Sequence, residues 1–153
     1  ALADCLLLVA HELNIKNIQV QTQIGKTLVI RIDPGEFQQV IVNLIMNAAQ
    51  AMGNNGVLIL SLKNGIHEGQ KGACLTVQDN GPGIAADRIG KVFDPFFTTK
   101  PGEGTGLGLS ISQTIIQRAG GLISVRNHPK GGAEFRVWLP PVREDVRETE
   151  MQV

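Results

Sequence analysis

The period of the apolar positions changes several times along the chain, and each change marks an element. Residues 2–13 read as a short apolar helix. Two strand-like runs follow, 18–23 and 28–32, separated by a Gly25-Lys26 turn. Asp33-Pro34-Gly35-Glu36 then has the chemistry of a helix start. Asp33 can cap free amides, Pro34 suits the first helical position, and Glu36 completes a capping box. That helix is expected to reach Met52 and to stop at Gly53-Asn54-Asn55-Gly56. Residues 57–63 and 73–78 read as strands joined by a polar loop. The stretch 80–105 is long and rich in glycine and proline, and loops of that length inside a compact domain usually serve function. A helix over 106–119 ends at Gly120-Gly121, and 122–127 with 133–139 form a hairpin about Pro129-Lys130-Gly131-Gly132.

Helices interspersed with strands in this order predict an α/β two-layer sandwich, with helices on one face of a mixed, mostly antiparallel sheet. One domain is expected over 1–139, followed by a flexible, charged tail over 140–153.

One helix has an unusual distribution of polarity. Phe37, Ile41, Leu44, Ala48 and Met52 make one apolar stripe, and Val40, Val42, Ile45, Met46 and Ala49 cover most of the rest. A helix apolar nearly all round is buried. Yet Gln39, Asn43, Asn47 and Gln50 recur at i, i+4, i+8 and i+11 as a single polar stripe. Buried amides without partners cost about 1–3 kcal/mol each. Bonding to nearby backbone, or exposure to solvent, accounts for Gln39 and Gln50. Asn43 and Asn47, one turn apart in the apolar middle, point instead to a polar ligand. Their carbonyl oxygens suit a hard cation such as magnesium, which keeps waters and substrate phosphates in its shell.

Asp79-Asn80-Gly81-Pro82-Gly83-Ile84 directly follows a strand. An ionised carboxylate only accepts hydrogen bonds, so Asp79 suits the amino group of adenine and would repel the carbonyl of guanine. Taken alone, D-N-G is also a common turn. Gly102-Glu103-Gly104-Thr105-Gly106-Leu107-Gly108-Leu109 leads into a helix. Alternating glycines bare the backbone amides, and the helix start adds partial positive charge, so the segment can cradle an anion. It is not a dinucleotide fingerprint, because it follows a loop and Leu109 stands where G-x-G-x-x-G needs glycine. Between the two glycine segments, residues 92–100 hold three of the five phenylalanines. Exposed aromatics there would form a latch or partner surface, while Phe93 could equally fill a small satellite core.

Composition narrows the functions further. The 153 residues suit one domain with a real core. Lysine plus arginine (14) balances aspartate plus glutamate (14), which leaves no overall electrostatic footprint for nucleic acid or an anionic membrane. Cys5 and Cys74 are too far apart for a C-x-x-C motif and read as buried thiols in a reducing, cytoplasmic setting. The longest apolar run, 5–10, is far short of the roughly 18 residues that suggest a membrane span. No signal peptide is recognised at the start.

In order along the chain, Q-V-I-V-N-L-I-M-N-A-A, D-N-G-P-G-I, V-F-D-P-F-F-T-T-K and G-T-G-L-G-L resemble the catalytic ATP-binding domain of sensor histidine kinases, whose wider clan includes gyrase B, Hsp90 and MutL. The P-F-F-T-T-K form and the N-A-A-Q-A-M ending look most like the nitrogen-regulation and dicarboxylate-sensor branch. The resemblance implies a Bergerat nucleotide fold that binds ATP and Mg2+. It implies that Asn47 binds magnesium and that Asn43 contacts phosphate or a coordinating water. Asp79 would read the adenine amine, with Gly81, Gly83 and Ile84 passing the base. Gly104, Thr105, Gly106, Leu107, Gly108 and Leu109 would line the triphosphate. Residues 85–105 would be the ATP lid, with Phe96 and Lys100 contacting the nucleotide.

By the same resemblance the γ-phosphate goes to a histidine on a separate dimerisation and phosphoacceptor domain, and from there to a response regulator. The isolated domain is then expected to be monomeric, with no contact to nucleic acid or membrane. Many relatives carry a basic residue where Gln50 stands, so neutralising phosphate would fall to the lid or the partner. Related hydrolases place a glutamate where Asn43 stands, and an amide cannot take a proton. His11-Glu12 resembles a phosphoacceptor box, but no Pro-Leu follows and a long helical hairpin has no room before Asp33. Gly25-Lys26-Thr27 lacks the earlier glycine of a phosphate loop, and His67 and His128 read as solvated loop residues.

Overall fold

The protein is described by a computed structural model over residues 2–26, 29–97 and 106–142. The elements are α1 (Leu2–Ile15), β1 (Gln19–Ile24), α2 (Pro34–Met52), β2 (Val57–His67), β3 (Gln70–Gln78), a single 3-10 turn (Ile89–Lys91), α3 (Gly108–Arg118), β4 (Leu122–Asn127) and β5 (Ala133–Leu139). The strands form one sheet in the order β1-β2-β3-β5-β4. Only the β1–β2 pair is parallel; the others run antiparallel. This is the expected two-layer α/β sandwich.

Alternation along the strands selects the buried face. Leu60 pairs with Val77, Val77 with Phe135 and Phe135 with Val125, so that one row crosses the sheet on a single side. The next row, Leu62, Leu75, Val137 and Ile123, lies on the same side, and both rows meet the apolar stripe of α2 in one core. Val40, Leu44, Ile45 and Ala49 on α2 have no exposed surface. The start of α2 forms as its residues dictate: the Asp33 carboxylate accepts from the Glu36 amide at 2.9 Å, and Pro34 occupies the first turn. Gly53 at φ 70° ends the helix.

Three boundaries differ from the sequence expectation. The run 28–32 builds no strand among the described residues. Ile30 makes one isolated bridge to Pro141, and the Val142 amide donates to the Val29 carbonyl at 2.9 Å. Proline has no amide to extend such a ladder, so the apolar run signalled burial (Ile30 is fully buried) and not pairing. The same bridge holds the first residues of the expected tail, whose remainder, 143–153, lies outside the described residues.

The polar loop expected between β2 and β3 is instead strand. The two pair down to His67 and Gln70 and turn on Glu68 and Gly69, both at positive φ. Gly65 pairs with Gly72 there, and a Cβ on Gly72 would lie 2.7 Å from the Trp138 ring. At Gly72 the missing side chain leaves room for Trp138. Finally, α3 starts at Gly108 and not at Gly106, which sits at φ 72°, outside the helical region.

Candidate functional site

One side of α2 meets the start of α3 and the loop after β3, and each contact has a physical origin. Near the middle of the helix, the Asn43 amide nitrogen donates to the Gly108 carbonyl at 3.1 Å and to the Ser112 hydroxyl at 3.2 Å. Ser112 is fully buried, so this bond satisfies a hydroxyl that has no access to water. Near the end of α2, the Ala51 carbonyl lies 3.2 Å from where a Cβ on Gly81 would stand. Asn43, Asn47 and Ala51 are spaced i, i+4 and i+8, on one face over about 12 Å of helix. Asn47 therefore occupies the stretch between the start of α3 and the loop after β3, and it is partly buried. Gln39 is exposed.

Asp79 follows the last residue of β3 and is 2% exposed. Its Oδ1 accepts from the Gly81 amide at 2.9 Å and from the Ala133 amide at 3.1 Å, and its own amide donates to the Ala133 carbonyl at 3.0 Å. Both side-chain bonds fall on one oxygen, which leaves the second oxygen for another donor. Burial pushes the Asp79 carboxyl above its ordinary range, and the two backbone amides pull it part of the way back. Gly132, at φ 81°, packs directly on the Asp79 carbonyl, where no side chain would fit.

Gly83 has φ 79°, and a Cβ there would stand 2.8 Å from the Asn127 side-chain oxygen. Ile84 is partly buried against the core. Beyond it, residues 85–97 are folded onto the body through Val92, which is buried, and Phe93, which meets Phe135 edge-to-face at 6.1 Å. Phe93 thus takes the satellite-core role, while Phe96 is 72% exposed at φ 65°. The Phe96 amide donates to the Gly106 carbonyl at 2.9 Å, and a Cβ on Gly106 would strike the Phe96 backbone at 2.6 Å. Phe96 and Gly106 thereby close the base of the segment between them. Leu107 precedes α3 as its N-cap without a side-chain cap bond, Gly108 touches Asn43, and Leu109 packs against the core. Lys100, Gly104 and Thr105 lie outside the described residues.

Pattern alone missed the β4–β5 hairpin as part of this site. Asn127, Gly132 and Ala133 all touch the 79–84 loop, and the only sequence signal was a glycine pair read as a turn. Two histidines also need correction. The His128 side chain is only 17% exposed, and its Nε2 lies 3.8 Å from Glu134, a buried carboxylate that Arg126 and Arg136 also approach, at 3.1 and 3.4 Å. The His67 ring lies 5.1 Å from that of Trp138. Both are held by side chains of the sheet, whose positions the local sequence does not reveal. His11 is exposed on α1. Among the described residues no cluster of three or more His, Cys, Asp or Glu could hold a metal, and no helix is long and apolar enough to cross a membrane. A magnesium ion held by one amide oxygen, phosphates and waters needs no such cluster, so Asn47 fits that ion.

Comparison with known proteins assigns the family. The family model for histidine kinase-, DNA gyrase B-, and HSP90-like ATPases matches residues 14–143. The sensor histidine kinase ZraS of Escherichia coli O157:H7 is 41% identical over 136 residues, which cover 88% of this chain and 29% of ZraS. The chain thus spans less than a third of that relative's length. The catalytic domain of histidine kinase ThkA, solved without nucleotide, has a TM-score of 0.79 and 31% identity over 91% of this chain and 89% of its own. ThkA has also been solved in complex with the response regulator protein TrrA. Full-length ShkA in complex with AMPPNP has a TM-score of 0.76 and 27% identity over 95% of this chain and 31% of its own. With a family match over most of its length and a fold shared with these catalytic domains, the chain belongs to the histidine kinase-, DNA gyrase B- and HSP90-like ATPase family, as the catalytic domain of a sensor histidine kinase.

Proposed function

We propose that the domain binds ATP with Mg2+ between α2, the start of α3 and the loop after β3, and presents the γ-phosphate to a histidine on a separate dimerisation and phosphoacceptor domain of the same kinase. The carrying observation is the α2 face on which Asn43 meets Gly108, Ala51 meets Gly81, and Asn47 lies between. Asp79, buried with one oxygen occupied by backbone amides, would accept the adenine 6-amino group with the other. Gly81, Gly83 and Ile84 would pass the base. The bared backbone of Gly106, Leu107, Gly108 and Leu109, at the start of α3, would face the phosphates, joined by Gly104, Thr105 and Lys100. Phe96, exposed at the base of the 85–105 lid, is available to a nucleotide or a partner. Asn47 would hold magnesium, which when bound supplies neutralisation of phosphate charge.

The transfer asks mainly for positioning. An imidazole nitrogen lone pair of the acceptor attacks the γ-phosphorus, the bond to the β-phosphate bridging oxygen breaks, and ADP leaves. The imidazole N–H proton passes to a residue of the acceptor domain. Asn43 offers no basic group, because a carboxamide cannot take a proton, and its nitrogen is held as a donor to Gly108 and Ser112; this supports transfer over rapid hydrolysis. A response regulator would then take the phosphoryl group from that histidine. ShkA with AMPPNP and ThkA with TrrA support the ligand and the partner by analogy. We place the domain in the cytoplasm, monomeric on its own and free of nucleic-acid and membrane contacts, within a kinase of the nitrogen-regulation and dicarboxylate-sensor branch.

Calorimetry with ATP, ADP and GTP, with and without Mg2+, tests the ligand. Labelled ATP mixed with this chain and an acceptor hairpin tests transfer. Equal affinity for ATP and GTP, or no label on the hairpin, would sink the proposal.

A further inference from the structure

The loop from Asp79 to Ile84 is gripped at both ends by one structure, the β4–β5 hairpin. At its first end, Ala133 exchanges hydrogen bonds with Asp79 through both backbone groups, and Gly132 packs on the Asp79 carbonyl. At its second end the grip is a side chain. The Asn127 carboxamide oxygen accepts from the Ile84 amide at 2.8 Å, and its nitrogen donates to the Ile84 carbonyl at 2.8 Å.

We propose that Asn127 is a positioning residue for nucleotide binding, holding the base-side loop in its binding shape through Ile84 and Gly83. This rests on the ATP-binding reading given above. A carboxamide presents one donor and one acceptor side by side, which is what a neighbouring strand offers to one residue. Asn127 thus acts as one rung of an extra strand, at the point where β4 ends and the chain beyond Ile84 leaves for the lid. Aspartate cannot supply the donor, and serine cannot span both backbone atoms. The fit is tight: a Cβ on Gly83 would stand 2.8 Å from the Asn127 oxygen, so the glycine permits the approach that the amide exploits. Between the two grips, Gly81 is laid over the Ala51 carbonyl at the end of α2. Base-side geometry and the lid's point of departure are therefore set from the hairpin, by a residue in neither.

If the grip is lost, the loop samples other shapes, and apparent affinity falls with the fraction that is competent. Two neutral hydrogen bonds then predict roughly tenfold weaker binding for Asn127→Ala. ATP and ADP should weaken by the same factor, because the phosphate side is untouched. Hydrogen exchange at the Ile84 amide should accelerate in the free protein.

The test is calorimetry with Mg-ATP, ADP and GTP on wild type, Asn127→Ala and Asn127→Asp, well below each melting temperature, with exchange read at Ile84. Asn127→Asp keeps the acceptor but sets a carboxylate against the Ile84 carbonyl, and should weaken binding comparably. Should either variant fail to fold, the other decides. Failure of wild type to bind ATP overturns the ATP reading itself. Wild-type binding with unchanged affinity in the variants, even if they melt lower, overturns the role of Asn127.

Discussion

Asp79→Asn changes almost nothing about the shape of the pocket and almost everything about its hydrogen-bonding sign. The retained carbonyl oxygen can still accept from Gly81 and Ala133, the contacts now made at 2.9 and 3.1 Å. The other oxygen becomes an NH2 donor facing the adenine amino group, itself a donor. A hydrogen bond to a charged group contributes about 1.5–3 kcal/mol, and an unsatisfied buried donor costs about 1–3 kcal/mol more. ATP affinity should therefore fall by roughly two to four orders of magnitude. GTP, whose base offers a carbonyl there, should bind better than it does to wild type.

Stability should move the other way. Burial raises the Asp79 carboxyl above 3.8 in the folded protein. The folded form then keeps its proton to higher pH than the unfolded chain. The contribution of this group to stability is full below the unfolded value and is lost as pH rises through the folded value. At neutral pH the buried charge is thus a cost that asparagine does not carry. Unliganded Asp79→Asn should melt no lower than wild type at pH 7, with the difference closing as pH approaches 4. Calorimetric titration with ATP and GTP, plus melts across that pH range, checks both halves. Wild-type ATP affinity in the variant would refute the adenine role, and a large loss of stability at pH 7 would refute the electrostatics.

Asn47→Ala should abolish magnesium-dependent transfer to an acceptor hairpin while the circular dichroism and melting profile stay close to wild type, since Asn47 is only partly buried. Gly132→Ala meets both a positive φ of 81° and the Asp79 carbonyl, and should cost about 2 kcal/mol or more in urea unfolding together with weaker ATP binding. The chain incubated alone with labelled ATP should acquire no acid-labile phosphate. Label on His11, exposed on α1, would show an acceptor within this domain.

Local rules reached far into this protein because several of its instructions are local. The cap at Asp33, the apolar circumference of α2 and the hairpin of β4 and β5 each require only near neighbours in the chain, and all formed as the residues dictate. The four ordered motifs carried the family, and they brought Asn43, Asn47, Asp79 and the glycines forward as one pocket. What escaped was set by partners remote in the chain. Gly72 looked like loop because the ring that fills its place, Trp138, is dozens of residues away, and the same ring donates to the Gly65 carbonyl. The run 28–32 advertised burial, yet its bridge partner, Pro141, cannot extend a ladder. His128 reads as solvated until Glu134 is folded against it. Above all, Asn127 is an ordinary strand end in the sequence. It meets Ile84 only because strand order brings the β4–β5 hairpin beside the loop that follows β3. Periodicity records which face a residue presents; only closure of the sheet decides what that face meets.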